Sequence, residues 1–458
     1  MKLAILGGGG FRTPYVWQAL LRDHGNPRVT QVSLYDVDEY RLRTMENILQ
    51  LFAADFEDAP QLTATTQLET ALEGADFIFA AIRVGGLEAR CCDEHVALEQ
   101  GVLGQETTGP GGLAYAIRTI PAMMQIAQKV KQIAPNAYFI NFTNPAGIIT
   151  EAMQQVLGNK VLGICDTPSG LGRRVAGALE LDHTRAQMDY VGLNHLGWMR
   201  HVIIDGQDVL PDLLENDELL SRMEEAKIFG SDWLRELGSL PNEYLYYYYD
   251  DRDAVRRILE SPQTRGDFLL QTQTKFYQAA SSAGSKAADM WWHAVNERSA
   301  SYMAEALGGV QGHPTGHREL NLDPAHLGYA GVALGVMTAI SRNERNIMIL
   351  NVRNGHTVTN MPEDAVVEVP TMVDSNGVHP LSMAEQPNLH QIGLMQQVKA
   401  VERHAIAAAM TGSSDEALKA FAFHPLVESI PIAHKLLEGY TARIPGVAQA
   451  LDSQGIRL

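Results

Sequence analysis

The sequence predicts an α/β fold whose first part is a doubly wound, mostly parallel sheet. Three observations carry that prediction. Strand-like runs at Lys2–Leu6, Gln31–Tyr35 and Ala75–Ala81 alternate with helical patterns at Pro14–Arg22 and Arg41–Phe56, the order of a βαβ unit. A glycine run, Gly7-Gly8-Gly9-Gly10, follows the first strand directly, and Asp36 closes the second.

Each element has its own justification. Glycine right after a strand lets the backbone approach a pyrophosphate, which then sits at the N-terminus of the next helix. Asp36 stands where a ribose hydroxyl finds its acceptor. The glycine fingerprint of a Rossmann-type dinucleotide site is met at Gly7 and Gly9, but Arg12 occupies the third glycine position. Pro14 is tolerated in a first helical turn. Leu113–Ile133 reads as a helix with a break or kink at Pro121, and strands follow at Tyr138-Phe139-Ile140 and Val161–Ile164. Two polar stretches, Arg83–Leu87 with Arg90 and the glycine-dense Gly104–Gly112, are hard to explain by packing and read as functional loops.

The second half is less regular. The tyrosines of Tyr244–Tyr249 read mainly as packing with hydroxyls bonded at the rim. Trp291-Trp292-His293 reads as a buried helix or a subunit contact. Ile347–Asn351 and Val366–Val369 read as strands separated by an Asn354-Gly355 turn, and Met395–Met410 and Asp415–Ala422 as helices. No linker composition appears. The expected division is a nucleotide-binding part, 1–165, and an α+β part for substrate and oligomer contacts, 166–458.

Composition narrows the function. The 458 residues are 45% hydrophobic and 20% charged, ordinary for a globular core. The opening apolar run ends after six residues in glycine, so it reads as a strand and not as a signal peptide. No apolar run approaches the roughly 18 residues of a membrane span. Three cysteines, two adjacent at Cys91-Cys92, make no disulfide framework and point to a reducing cytoplasm. A formal charge of −18 argues against nucleic acid. An anionic substrate would need local arginines.

Three short pieces carry the chemistry: Asn141-Phe142-Thr143-Asn144-Pro145, Gly163-Ile164-Cys165-Asp166-Thr167-Pro168 and Gly192-Leu193-Asn194-His195. Two of them follow predicted strands, so their polar side chains fall at the carboxyl edge of a sheet, where open α/β sheets bind ligands. A thiolate and an imidazole from separate strand ends could share a divalent transition metal and leave positions open for substrate. Each alone is as readily a buried structural side chain.

Together with Thr13-Pro14, Arg83-x-Gly-Gly-Leu, Gly-Gln-Glu-Thr-Thr-Gly-x-Gly-Gly from Gly104, Leu-Pro-Asn-x-Tyr-Leu-x-Tyr-Tyr from Leu240 and Asn-x-Arg-Asn-Gly from Asn351, these pieces resemble glycoside hydrolase family 4 over nearly the whole length. The similarity is greatest to its 6-phospho-glucosidases. The resemblance implies a lactate/malate-dehydrogenase-like fold, NAD, a divalent metal that is usually Mn²⁺, and a homodimer or homotetramer. It also implies redox-assisted elimination, an NAD-dependent exception to two-carboxylate glycosidases: oxidation at C3 of the sugar acidifies the C2 proton, the C1–O bond breaks, water adds and C3 is reduced again.

By the same resemblance Cys165 and His195 match metal ligands and Tyr244 the base for the C2 proton. Glu106 matches the acid that raises that tyrosine's basicity. Asp166 matches the proton donor of α-specific members, although β-specific members commonly carry Asn there. Gly7, Gly8, Gly9, Gly10, Phe11, Arg12, Asp36, Arg83 and Asn141 fall on the cofactor side. Arg90, Asn144 and Arg265 match substrate contacts. The Arg83 and Asn141 stretches look β-like, so the expectation is a 6-phospho-β-glucosidase acting on a small phosphorylated sugar. The rivals are a relative acting on α-linked or unphosphorylated glycosides or uronides, an NAD-dependent 2-hydroxyacid dehydrogenase, and a non-catalytic NAD-binding module.

Overall fold

The computed structural model describes residues 1–309 and 328–452. Its frame is one sheet of thirteen strands among the described residues. They are β1 (Lys2–Leu6), β2 (Gln31–Tyr35), β3 (Gln61–Thr65), β4 (Phe77–Ala80), β5 (Tyr138–Asn141), β6 (Val161–Gly163) and β7 (Gln187–Leu193). Then come β8 (Leu196–Ile204), β9 (Gln207–Asp208), β10 (Leu240–Pro241), β11 (Asn346–Arg353), β12 (Val366–Asp374) and β13 (Gly377–Pro380).

The first six strands are parallel in the order β3-β2-β1-β4-β5-β6. Side chains alternate between two buried faces, which is why these strands are apolar at nearly every position. Leu3 and Ile5 of β1, with Phe77 and Phe79 of β4, meet the helices Thr13–Leu21 and Glu39–Ala53. Ala4 and Leu6, with Ile78 and Ala80, meet the helices Pro110–Ile133 and Ala146–Leu157. The strand order reverses between β1 and β4, so the crevice for a ligand opens at their carboxyl ends.

Beyond β6 the sheet continues antiparallel through β11, β12, β7, β8 and β10. One sheet therefore runs through both halves of the chain, which is the physical counterpart of the missing linker. The long β7–β8 hairpin is absent from the sequence reading, whose attention there went to the motif at its tip. The Pro110–Ile133 helix passes through Pro121 without ending. Trp291 is core and no surface contact: it is fully buried, its Nε1 donates to the Phe11 carbonyl at 2.9 Å, and Phe11, Tyr15 and Phe52 surround its ring. Among the described residues, no helix is long and apolar enough to cross a membrane.

Candidate active site

A cavity of about 1280 Å³ opens at the carboxyl edge of the parallel strands and extends under the β7–β8 turn. Its floor on one side is the glycine turn after β1. Gly7 takes φ +86°, and a Cβ there would stand 2.6 Å from the Ala81 carbonyl oxygen, so no other residue lets the β1 and β4 loops meet. Gly9 N donates to Asp36 Oδ2 at 2.9 Å, and Asp38 N to Asp36 Oδ1 at 3.0 Å. Each carboxylate oxygen keeps a lone pair for a ribose hydroxyl. Gly7, Gly9, Gly10, Phe11, Arg12 and Asp36 line the cavity. This cradle fits a dinucleotide.

Two residues expected beside the cofactor stand elsewhere. Gly8 packs on β2, where a Cβ would lie 2.7 Å from Leu34 Cβ. Asn141 is fully buried and is consumed by its own loop: its Nδ2 donates to the carbonyls of Thr143 and Ala146 and to Thr150 Oγ1, and its Oδ1 accepts from Thr143 N. It shapes the turn that presents Phe142 and Asn144 to the cavity. Arg12 does reach the cavity, with its guanidinium beside the rings of Phe142 and Tyr329.

Glu106 is held by two arginines, Arg83 at 2.7 Å and Arg90 at 2.7 Å. Burial pushes its carboxyl up, but Arg83, Arg90 and Arg12 outweigh that and hold it at about 2. It is therefore ionised in any working buffer. Arg90 is also paired with Glu94 at 2.9 Å, so two carboxylates already meet its charge and its part is to fix Glu106. The glycines of this loop do have a packing reason: a Cβ at Gly111 or Gly112 would lie within 2.4 Å of the carbonyl oxygens of Gln105 or Thr107.

The opposite wall carries Cys165, at the end of β6, and His195, in the two-residue turn between β7 and β8. His195 takes φ +64°, a left-handed conformation that costs about 1–3 kcal/mol outside glycine and points to a functional constraint. Its Nδ1 lies 3.0 Å from Thr107 Oγ1, which itself donates to Gln105 Oε1 at 3.0 Å. With that hydroxyl proton engaged, Thr107 accepts from Nδ1–H and leaves the Nε2 lone pair free. Burial outweighs the nearby carboxylates and lowers the His195 pKa to about 4, so the ring is neutral. A neutral imidazole so oriented, lining the same cavity as a buried thiol, suits a borderline-soft divalent ion. Among the described residues no third His, Cys, Asp or Glu joins them. The pair fits a metal whose other positions are filled by substrate or water.

Tyr244 stacks on His195, with ring centroids 3.8 Å apart and planes 6° from parallel. The Tyr302 hydroxyl lies 3.0 Å from the Tyr244 hydroxyl and 2.7 Å from Glu243 Oε1, where it donates. Burial, then Glu243, pushes the Tyr244 phenol well up. Asp166 and Asn144 complete this wall.

Three residues here escaped the sequence reading. Tyr302 and Glu243 carry no motif of their own. Arg298, on the Ala287–Ala300 helix, lines the cavity together with Arg265. Burial, then the like charges of Arg12 and Arg265, lowers the Arg298 pKa to about 9. Burial, then Arg90, lowers that of Arg265 to about 10. Arg265 donates to Ser301 Oγ at 2.7 Å and to backbone carbonyls. No carboxylate among the described residues forms an ion pair with either arginine. The cavity thus holds two cations without an ion-pair partner among the described residues.

Comparison with known proteins agrees with this geometry. Residues 2–181 match the model for family 4 glycosyl hydrolases, and residues 190–427 match the model for that family's C-terminal domain. The chain is 30% identical to a probable 6-phospho-beta-glucosidase of Bacillus subtilis over 96% of its length and 95% of the relative's. It is also 30% identical to a maltose-6'-phosphate glucosidase of Bacillus subtilis, over 95% and 94%. The 6-phospho-beta-glucosidase of Thermotoga maritima, solved with NAD and glucose-6-phosphate, superposes with a TM-score of 0.80 at 27% identity, covering 97% of this chain and 98% of that one. A 6-phospho-alpha-glucosidase from gut microorganisms, solved with NAD and Mn²⁺, gives 0.80 at 26% identity with the same coverage. A cradle for a dinucleotide, a thiol–imidazole pair and matching models over both halves have one common explanation: the chain belongs to glycosyl hydrolase family 4.

Proposed function

We propose that this chain hydrolyses 6-phospho-glucosides, β-linked in preference, with NAD and with Mn²⁺ or another divalent metal. One observation carries the reading. Arg265 and Arg298, with no ion-pair partner among the described residues, line the same cavity as the Cys165–His195 pair and the glycine cradle. Two such cations match a dianionic phosphate in charge, and each guanidinium offers a planar fork of donors to its oxygens. The phosphorylated glucosides of the relatives carry that group.

When bound, the nicotinamide would supply a reversible oxidation of the sugar and the metal would supply Lewis-acid polarisation of the oxidised sugar. The chain's own residues do the rest. Gly7, Gly9 and Asp36 hold the dinucleotide, Arg265 and Arg298 fix the 6-phosphate, and Cys165 with His195 Nε2 hold the metal. Tyr244, stacked on His195, first passes its own phenolic proton along the Tyr302 hydroxyl toward Glu243 and, as the phenolate, takes the proton from C2. The charge of Glu106, locked by Arg83 and Arg90, faces the same space and raises that phenolate's affinity for the proton. Asp166 lines the same cavity and, by the resemblance to α-specific members, would donate a proton to the leaving oxygen of an α-linked substrate.

The test is a panel of α- and β-nitrophenyl glucosides, each with and without a 6-phosphate, assayed with NAD and Mn²⁺. The reading requires turnover of the phosphorylated β-glucoside without net NADH. Equal turnover of unphosphorylated glucosides removes the phosphate assignment. Stoichiometric NADH makes the chain a dehydrogenase.

A further inference from the structure

One buried carboxylate stands behind the three loops that bring Cys165, His195 and Tyr244 together. Glu368 lies in the middle of β12 and has no exposed surface. Its ladder partner on one side is Gly192 of β7, three residues before His195. On the other side is Asn351 of β11, which pairs in turn with Gly163 of β6, two residues before Cys165. A transverse row, Gly163–Asn351–Glu368–Gly192, therefore crosses the sheet just ahead of the two metal donors. The row is tight: a Cβ at Gly163 would stand 2.9 Å from that of Asn351, and a Cβ at Gly192 within van der Waals overlap of Leu196 and Gly197.

Hydrogen bonds spread from this carboxylate into each loop. Asn351 Nδ2 donates to Glu368 Oε1 at 2.8 Å, and Asn194 Nδ2, on the residue beside His195, donates to the same oxygen at 3.4 Å. The Asn194 Oδ1 accepts from Ala146 N at 3.2 Å, which ties in the loop after β5. The Tyr190 hydroxyl donates to Glu368 Oε2 at 3.1 Å and accepts from Asn242 Nδ2 at 3.1 Å. Asn242 Oδ1 in turn accepts from the backbone N of Tyr244 at 3.0 Å. All the donors are neutral, and no cation among the described residues pairs with Glu368. A carboxylate so placed is costly unless a positive charge lies close by. Burial outweighs these hydrogen bonds and pushes the Glu368 carboxyl up to about 7, so a cation close by is what would keep it ionised. When ionised, its field reaches Cys165.

We propose that Glu368 is a positioning residue for the metal pair. Its carboxylate, held ionised by a bound divalent cation, favours that cation at Cys165 and His195, and its hydrogen bonds keep the Tyr244 loop in register with them. The proposal rests on Cys165 and His195 being the metal donors, as read above.

The experiment is a Mn²⁺ titration of the NAD-loaded enzyme, followed by the electron paramagnetic resonance signal of free Mn²⁺. Glu368→Gln keeps the size and most of the hydrogen bonds and removes the charge. The expected result is a Mn²⁺ Kd about 10- to 100-fold weaker, the usual effect of an outer partner of a metal site. Glu368→Asp, still charged, recovers part of the affinity. A wild-type Kd in Glu368→Gln overturns the proposal, and so does an order in which Asp binds metal more weakly than Gln, since that is the signature of packing alone. Tyr190→Phe keeps the carboxylate and covers the case in which Glu368→Gln does not fold. It is expected to lower kcat and the exchange of the C2 proton while leaving the Kd for Mn²⁺ in place; unchanged exchange removes the link to Tyr244. Cys165→Ser in the same titration separates the two readings. Loss of metal there with wild-type affinity in Glu368→Gln sinks this proposal alone, whereas wild-type affinity in Cys165→Ser sinks the donor assignment and this proposal with it.

Discussion

Arg298→Met separates the binding role of a buried cation from its cost to the fold. The Arg298 pKa is lowered to about 9 by burial and by the like charges of Arg12, Arg265 and Arg90. A base whose folded pKa lies below its unfolded value destabilises the fold at every pH below the folded pKa, and the penalty fades only as pH rises from about 9 toward the unfolded value. At neutral pH the penalty is present in full. Complete desolvation would make it several kcal/mol, but Arg298 is half-buried on a solvent-connected wall, so screening leaves about 1–2 kcal/mol. Methionine fills much of the same volume without the charge. The substrate-free variant should therefore melt higher, by about 1–3 °C for a chain of this size. The reverse holds on the substrate side. A charge-assisted hydrogen bond to phosphate contributes about 1.5–3 kcal/mol, so kcat/KM on a 6-phospho-glucoside should fall about 10- to 100-fold. The unphosphorylated glucoside should lose little. Calorimetry on the free protein and initial rates on both substrates measure the two effects. A lower melting temperature combined with equal losses on both substrates refutes the reasoning, because it makes Arg298 a structural side chain.

Cys165→Ser should abolish Mn²⁺-dependent turnover while the melting curve stays near wild type; full activity of the chelator-treated variant removes the metal role. Tyr244→Phe should stop exchange of the C2 proton with solvent while NAD and metal still bind, and continued exchange at the wild-type rate assigns the base elsewhere. Glu106→Gln leaves Arg83 and Arg90 short of a carboxylate and should cost most of the activity. Because the folded pKa of Glu106 is about 2, below the ordinary carboxylate range, its share of stability is complete above about pH 4.5 and is lost as pH falls toward 2. Acid unfolding followed by tryptophan fluorescence should thus show a shallower acid limb in Glu106→Gln, with about 2–3 kcal/mol less stability at neutral pH. Superimposable acid limbs would mean that the ion pairs contribute nothing.

How much was legible differs from residue to residue. Cys165, Asp36 and the glycine turn lie at strand ends that announce themselves by apolar runs broken by polar or small residues, whereas His195 was marked only by its Gly-Leu-Asn-His motif; the cavity holds Gly7, Gly9, Gly10, Asp36, Cys165 and His195. Asn141 bore the same signature, yet its amide is spent on its own turn. From a string of letters, a polar residue that serves a ligand and one that serves the backbone look alike. Arg90 lines the cavity, as a substrate contact must, but what the sequence could not show is that Glu94 and Glu106, four and sixteen positions away, also pair with it. Glu368 left a usable trace: a lone acid in Val-Val-Glu-Val-Pro-Thr-Met-Val is out of place in a buried strand. Arg298 left none, since it sits late in a helix dominated by packing tryptophans.

By itself the sequence determined what depends on neighbours along the chain: the alternation of strand and helix, the turn that only glycine permits, and the side chains delivered to the sheet's carboxyl edge. Tertiary structure decided what depends on residues far apart in the chain. It inserted β11 and β12 between β6 and β7, so that Cys165 and His195 face one cavity across four strands. It left Arg265 and Arg298 without an ion-pair partner among the described residues, and it set Glu368 behind the loops of the metal pair. The reason is that charge compensation and coordination act over a few ångströms of space, whatever the separation in sequence, and only the folded sheet says which groups come that close.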